Sequence, residues 1–426
     1  MMFAVVPFSS HSCQGARRFP HPPESENSMT QAEEMYRQLT EARNASGPLA
    51  AVERLIDFLE DQQRYHELFE ALKMRARLQL DLTPTQTDRE ERLDEETELK
   101  IERALIDACR RVGEGLLKQG KVREGWMYMR PVGDRQVAAA AIARIVPDDE
   151  NTDALLEILV HEGVDVGAGY QLALDRLGTC NSITLFETAI AARPRSDQQQ
   201  AAALLVEHVH RELLENVRRD IAQREHAEPK ETTLAELLAA RPTLLRDGTY
   251  HLDTTHLAST VRFARVLDDR RHLELALDLT QYGRHLHPQF QYPGEEPFLD
   301  LYPASSAFFR AILEDQVDAG IRYFTQKADA VDRRQFGNIA VEVLIDLLSR
   351  VGRHEAALQE FAKRLPADAR LMGIAPSMLE LSQRMGSFDA MRDLCVQRDD
   401  LLGFTAALIQ PDASQVQPEA AQAAST

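Results

Sequence analysis

Leu347-Leu348-Ser349-Arg350-Val351-Gly352-Arg353-His354-Glu355-Ala356 and Leu381-Ser382-Gln383-Arg384-Met385-Gly386-Ser387-Phe388-Asp389-Ala390 are two copies of one pattern. In each, an apolar run ends at a glycine and an alanine follows four residues later. Gly352 and Gly386 stand 34 residues apart, the period of a helix–turn–helix repeat unit. Glycine ends a helix cheaply because it accepts positive φ. A small residue after the turn lets two helices approach closely. One such pair cannot bury its own apolar face, so neighbours must stack.

Helical spacing extends outward from this pair over most of the chain. Val52, Leu55, Ile56 and Leu59 share one face of a helix that Pro48 can open. Leu68, Leu72, Met74 and Leu78 continue in a second helix. Residues 81–92 read as a polar linker into a charged helix whose buried stripe is Leu105, Ile106, Cys109 and Val112. Further helices are predicted at 134–146, 151–162, 169–178, 182–192, 198–225, 232–240, 255–268 and 271–286. The series ends with 305–315, 317–330, 334–350, 354–364, 374–385 and 388–409. No period-two alternation suggests a sheet.

These features resemble the tetratricopeptide-repeat family. Leu344 and Leu348 match its first helix, Gly352 its turn, and Ala357 and Phe361 its second helix. Similar units run through Val112, Gly113, Leu116, Gly120, Gly125 and Met129, and through Phe263, Ala264, Leu267 and Ala276 with Pro288 closing. A weaker one spans Val52–Arg75, with Tyr65 opening its second helix. Arg364 stands where the family prefers a small residue, Pro366 comes early, and only the final pair keeps the strict period. The resemblance implies an all-α, right-handed solenoid of stacked antiparallel helix pairs without substantial sheet. It also implies the family's usual role, holding a partner peptide or protein in a concave groove.

Composition supports a folded chain of this kind. The 426 residues carry 68 acidic and 49 basic side chains, a net charge of −19, with 44% apolar residues. That balance argues against a nucleic-acid binder, which needs clustered Lys and Arg, and favours basic protein partners. No apolar run is long enough for a membrane span, so no membrane partner is expected; a homo-oligomer is compatible with the sequence. Cys13, Cys109, Cys180 and Cys395 form no metal-binding spacing and read as reduced, buried thiols of a cytoplasmic protein. The expected organisation is an N-terminal extension at 1–28, a helical array at 29–230, a helical-repeat region at 231–410 and a disordered tail at 411–426. Residues 1–28 are proline-rich, and Thr30 with Glu33 forms a capping box after Met29. Met29 is therefore the expected natural start, with a cryptic targeting peptide as the rival reading.

Motifs for catalysis are incomplete. Gly115-x4-Gly120-Lys121 lacks the Ser or Thr and the preceding strand of a phosphate loop, so it reads as a turn. Gly163, Gly167 and Gly169 read as a loop for similar reasons. No H-E-x-x-H or G-x-S-x-G is present. Trp126 to Met129 reads as core packing rather than a recognition surface.

The unusual region is 247–305. Five of the 13 histidines fall between His251 and His287, followed by a proline- and aromatic-rich loop at 288–303. His251, Asp253, His256, His285, His287, Tyr292 and Tyr302 are the candidate binding residues. Imidazole ligands suit a transition metal, so a metal held by His251, His256, His285 and His287 is the alternative. The competing structural reading makes His251 and Asp253 a helix start and His285 and His287 a solvated helix end. The preferred expectation is a non-catalytic interaction scaffold without cofactor; the alternative is an enzyme or ligand-binding protein using 250–303.

Overall fold

The structure, a computed structural model, describes residues 31–85, 93–366 and 369–410. The expected extension 1–28 with Cys13, Thr30 of the expected capping box, linker residues 86–92 and the tail 411–426 lie outside the described residues. Among those described the chain is all-helical, with 20 α-helices and no strand. No helix among them is long and apolar enough to cross a membrane.

Two compact units are present. The first comprises the described residues up to Gln119 with Met127–Gly133, and the second Gly120–Trp126 with Asp134 onward. In the first, α1 (Gln31–Ser46) packs on α2 (Pro48–Asp61), α2 on α3 (Tyr65–Leu78), and α3 on α4 (Glu95–Lys118). Pro48 opens α2 as expected, and Gly47 at φ 90° makes the break before it. Ile56, Leu59, Leu68, Leu72, Val112 and Leu116 form the core. Gly115 lies inside α4, where a Cβ would overlap the Tyr65 ring. Its role is thus close helix packing, and the incomplete phosphate-loop motif is structural.

The helix α5 (Val122–Met129) crosses the division between units. The second unit continues with α6 (Arg135–Ile142), α7 (Thr152–Leu156), α8 (Val166–Leu185) and the 31-residue α9 (Arg195–Glu225). Next come α10 (Leu234–Ala240), α11 (Thr254–Phe263), α12 (Arg270–His285), α13 (Leu301–Ile312) and α14 (Val317–Ala330). The chain then forms α15 (Arg333–Phe336), α16 (Ile339–Arg350), α17 (His354–Arg364), α18 (Met378–Met385), α19 (Asp389–Gln397) and α20 (Leu401–Leu408). Residue 230 falls between α9 and α10, within this unit. Leu205, Val206, Val209, Leu213 and Val217 make a fully buried stripe on α9, against which α8, α11 and α12 pack.

Local chemistry sets the helix ends. Asp94, Asp134, Asp165, Asp253 and Asp269 each accept a hydrogen bond from the first turn of the helix they precede. Such caps contribute about 1 kcal/mol each. Thr233 with Glu236 and Ser377 with Glu380 form complete capping boxes. Some expected helices are divided: 334–350 breaks at Gly337 (φ 64°) and 388–409 at Asp399 (φ 55°). Helix α13 begins at Leu301, earlier than expected, because proline is tolerated in a first helical turn and Pro303 sits there. Cys395 is buried and Cys109 half-buried, but Cys180 is exposed. Cys180 corrects the expectation of buried thiols; it follows the break in α8 at Gly178 (φ 76°).

Gly352 and Gly386 both have positive φ, 76° and 68°, and no atom crowds a Cβ at Gly352. Replacing either by alanine should therefore act through backbone strain, about 1–2 kcal/mol each. Lowered denaturation midpoints for Gly352→Ala and Gly386→Ala are expected; unchanged midpoints would contradict the turn geometry.

Candidate functional site

His251 is positioned between α9 and α12. The Tyr282 hydroxyl on α12 accepts the His251 backbone N–H at 3.0 Å and lies 2.9 Å from ring Nδ1. Ring Nε2 lies 2.9 Å from Asp220 Oδ2 on α9. The Asp220 carboxylate can only accept, so Nε2 carries hydrogen and donates to it. Both ring nitrogens are committed and the side chain is 6% exposed. Burial raises the Asp220 carboxyl, but hydrogen bonds from His251 and Arg224 outweigh it and hold the group below the usual carboxylate range.

The other predicted residues do not join His251. Asp253 caps α11, its carboxylate accepting the Thr255 hydroxyl at 2.6 Å and the Thr255 N–H at 2.8 Å, which together lower its pKa. His256 is half-buried on α11. His285 is exposed at the end of α12, its Nδ1 2.8 Å from the Gln281 carbonyl. His287 is exposed and caps a single helical turn at Pro288–Phe290. These last two border a depression of about 310 Å³. Tyr292 is exposed, while Tyr302 is buried within α13 rather than in the aromatic loop. Tyr302 packs where a Cβ on Gly283 would overlap its ring, and burial pushes its phenol well up.

No group of three or more His, Cys, Asp or Glu able to hold a metal occurs among the described residues. His251, His256, His285 and His287, the alternative metal set, are not brought together as such a group. His251 serves the α9–α12 contact, His285 and His287 serve helix ends, and His272 bridges Asp269 and Glu207 at 2.7 and 3.0 Å. Of Trp126 to Met129, Met129 is buried and Tyr128 packs on the first unit's core. Met127 is exposed, contrary to the core reading.

A larger concavity, which sequence reasoning missed, lies at the start of α9. It has a volume of about 480 Å³ and adjoins a second chamber of about 500 Å³ that shares Arg195, Asp346, Gly373 and Ile374. Five chain segments converge there: the entry to α9, the turn after α11, the loop before α13, α16, and the irregular stretch before α18. Buried Glu342 on α16 fixes that stretch by accepting the N–H groups of Met372 and Ile374 at 2.8 and 3.1 Å. Apolar surface comes from Phe298, Phe308, Val343 and Ile374.

Arginines and carboxylates line it in equal number, Arg193, Arg195 and Arg265 with Glu295, Glu296 and Asp346. Arg350, 5% exposed, sits between Asp268 at 3.0 Å and Asp346 at 3.5 Å and donates to the carbonyls of Arg265 and Leu267. Arg195 also reaches Asp346, at 3.0 Å, and Arg193 pairs with Asp197 at 2.8 Å. Arg265 differs from these. Its guanidinium lies 3.6 Å from the Phe298 ring centroid, and its only side-chain hydrogen bond among the described residues is a long one to Ser305 at 3.4 Å. Its Nε is sealed and unpartnered. Desolvation, aided by nearby Arg262 and opposed by Glu295, pulls its pKa down to about 9. The group keeps its charge at neutral pH.

Comparison of the chain with protein-family profiles, with curated proteins and with solved structures finds no match. The site's chemistry is therefore read from its own geometry.

Asp220→Asn should lower stability at pH 7 by about 2 kcal/mol, the scale of a hydrogen bond to a charged group. A carboxylate with a depressed folded pKa stabilises above the unfolded value, about 4, and that contribution is lost as pH falls through the folded value. Denaturant titrations should show the gap between variant and wild type narrowing as pH is lowered below about 4. A gap that widens there would contradict the assigned network.

Proposed function

We propose that the protein is a non-catalytic interaction scaffold of the tetratricopeptide-like kind, a right-handed solenoid of stacked antiparallel helix pairs that holds a partner peptide or protein in a groove. The observation that carries this reading is the equivalence of roles at 34-residue spacing. Leu347 and Leu381 are both fully buried, and Ala357 with Met391 and Phe361 with Cys395 are also buried pairs of equivalents. Gly352 and Gly386 both turn with positive φ.

Contacts between successive elements support it further. Helix α16 packs on α17, α17 on α18, and α18 on α19. Arg384 on α18 donates to Ser349 on α16 at 2.7 Å. Arg398, the equivalent of Arg364, donates to the carbonyls of Phe361, Ala362 and Leu365 at 3.2, 3.0 and 2.6 Å. The α18–α19 pair thus completes part of its burial and hydrogen bonding on the α16–α17 pair before it, as a repeat array would require. The net charge of −19 favours basic partner surfaces at long range.

Affinity purification of the full chain from its native host, followed by light scattering of the eluted complex, tests the reading. A partner at fixed stoichiometry is expected. Recovery of the chain alone, as monomer or homo-oligomer, in repeated preparations would count against it.

A further inference from the structure

The last described helix turns an apolar face outward. Helix α20 runs Leu401-Leu402-Gly403-Phe404-Thr405-Ala406-Ala407-Leu408, and Ile409 follows it in the capping position. Asp400 fixes its start by accepting the Gly403 N–H at 2.8 Å. Ala407 is buried in a cluster with Phe388, Met391 and Cys395, against which Phe404 also packs. That contact orients the helix. With 3.6 residues per turn, Leu401, Leu402, Thr405, Leu408 and Ile409 share a stripe about 120° wide on the side turned away. All five are exposed, Leu401 by 78%, Leu402 by 81%, Leu408 by 58% and Ile409 by 72%. No charged residue lies between Leu401 and Gln410. The first described helix differs, since α1 carries Glu33, Glu34, Arg37, Glu41 and Arg43. A helix at the end of a stack stays solvated through a polar outer face, and α20 has none.

The order of the stripe selects its occupant. Positions 401, 402, 405, 408 and 409 read the same from either end about Thr405. A two-fold axis through Thr405 lays the stripe antiparallel on itself, with Leu401 against Ile409 and Leu402 against Leu408 of a second copy. The Thr405 hydroxyl already donates to the Leu401 carbonyl at 2.8 Å, so its methyl group can sit on the axis without stranding a donor. A parallel pairing would set Asp399 and Asp400 of both copies together, whereas the antiparallel one keeps them at opposite ends. Four large aliphatic side chains from each copy, with Thr405 and the half-exposed Phe404 and Gln410 at their edges, remove roughly 1,200 Å² from water, the lower bound of specific interfaces.

Other occupants fit less well. Residues 411–426 contain one large aliphatic side chain, Val416, too little to cover the stripe. Helices that lie on lipid surfaces carry Lys and Arg on their polar face, and α20 has neither. We propose that α20 is a self-association face, through which two copies of the chain pair antiparallel about Thr405 as a reversible homodimer with a dissociation constant in the micromolar range. The dimer is independent of any groove for a partner. Its contact is apolar while each copy carries a net charge of −19, so salt strengthens it by screening the repulsion between copies.

Sedimentation velocity of the full chain between about 0.1 and 100 µM tests this. The mass should rise from that of the 48.0 kDa chain to twice that value, and the midpoint should fall to lower concentration as salt is raised. Leu402→Glu combined with Leu408→Glu faces each new carboxylate with one from the other copy. It should raise the dissociation constant at least about 100-fold, with the melting temperature of the dilute monomer unchanged because both positions are exposed. Thr405→Cys, in a chain whose Cys13 and Cys180 are replaced by Ser, reads the register. Its thiols meet on the axis and should join two copies under mild oxidation. Leu401→Cys in the same background should not, because the paired positions lie about 12 Å apart along the helices, beyond the reach of a disulfide. A chain monomeric at about 100 µM, a dimer that the double Glu variant leaves intact, or copies joined through Leu401→Cys and not through Thr405→Cys would each overturn the proposal. A monomer in which the Thr405→Cys thiol resists labelling has the stripe covered by its own chain, and a monomer that binds neutral lipid vesicles uses it on a membrane; either result also contradicts the dimer.

Discussion

The second unit depends on burying one long stripe of helix. Helix α9 presents Leu205, Val206, Val209, Leu213, Val217 and Ile221 to its neighbours, all at most 1% exposed. A helix of that length cannot hide such a face alone, so α8, α11 and α12 must lie along it. Polar groups fix the arrangement at set heights. Asp278 on α12 meets His210 on α9 at 2.8 Å and accepts the N–H groups of Leu234 and Ala235 at the start of α10, both at 2.9 Å. One carboxylate thereby ties three helices together. One turn further along α12, Tyr282 meets His251, which holds Asp220 on α9. Nearer its start, Gln199 holds the Val266 carbonyl at 2.9 Å. That last contact sets the turn carrying Arg265 against the beginning of α9, which is how the cleft acquires its walls.

The helices were legible because their signals are local. Apolar spacing locates α2, α3, α12, α14 and α17, and Pro48, Gly352 and Gly386 mark ends through backbone conformations that any tertiary context must respect. Breaks made by ordinary residues were not legible. Asp399 adopts φ 55° without being glycine, so 388–409 reads as one helix although it forms two. Tyr302 read as part of a loop because Pro303 suggests irregular chain, yet the first turn of a helix has no hydrogen bond for proline to break.

The functional residues divide in the same way. The histidines of 251–287 attract attention by density, but density along the chain says nothing of convergence in space. His251 is drawn toward Asp220, 31 residues earlier, and His272 toward Glu207, 65 residues earlier. Each is used up in holding helices together. The cleft had the opposite fate. Its residues come from near 193, 265, 296, 343 and 373, separations that no motif records. Arg265 sits in an apparently ordinary apolar–basic run, Phe263-Ala264-Arg265-Val266. Only the packing of Phe298 against it, and the burial of its Nε, distinguish it from a surface arginine.

Native-state hydrogen exchange, resolved by residue, tests most directly whether α9 is the element on which the second unit is built. Amides between Ala201 and Ile221 should be the slowest in that unit and should exchange only through its global unfolding, while those of α19 and α20 open through smaller fluctuations. Exchange of the α9 amides as fast as those of α19 and α20 would contradict the account.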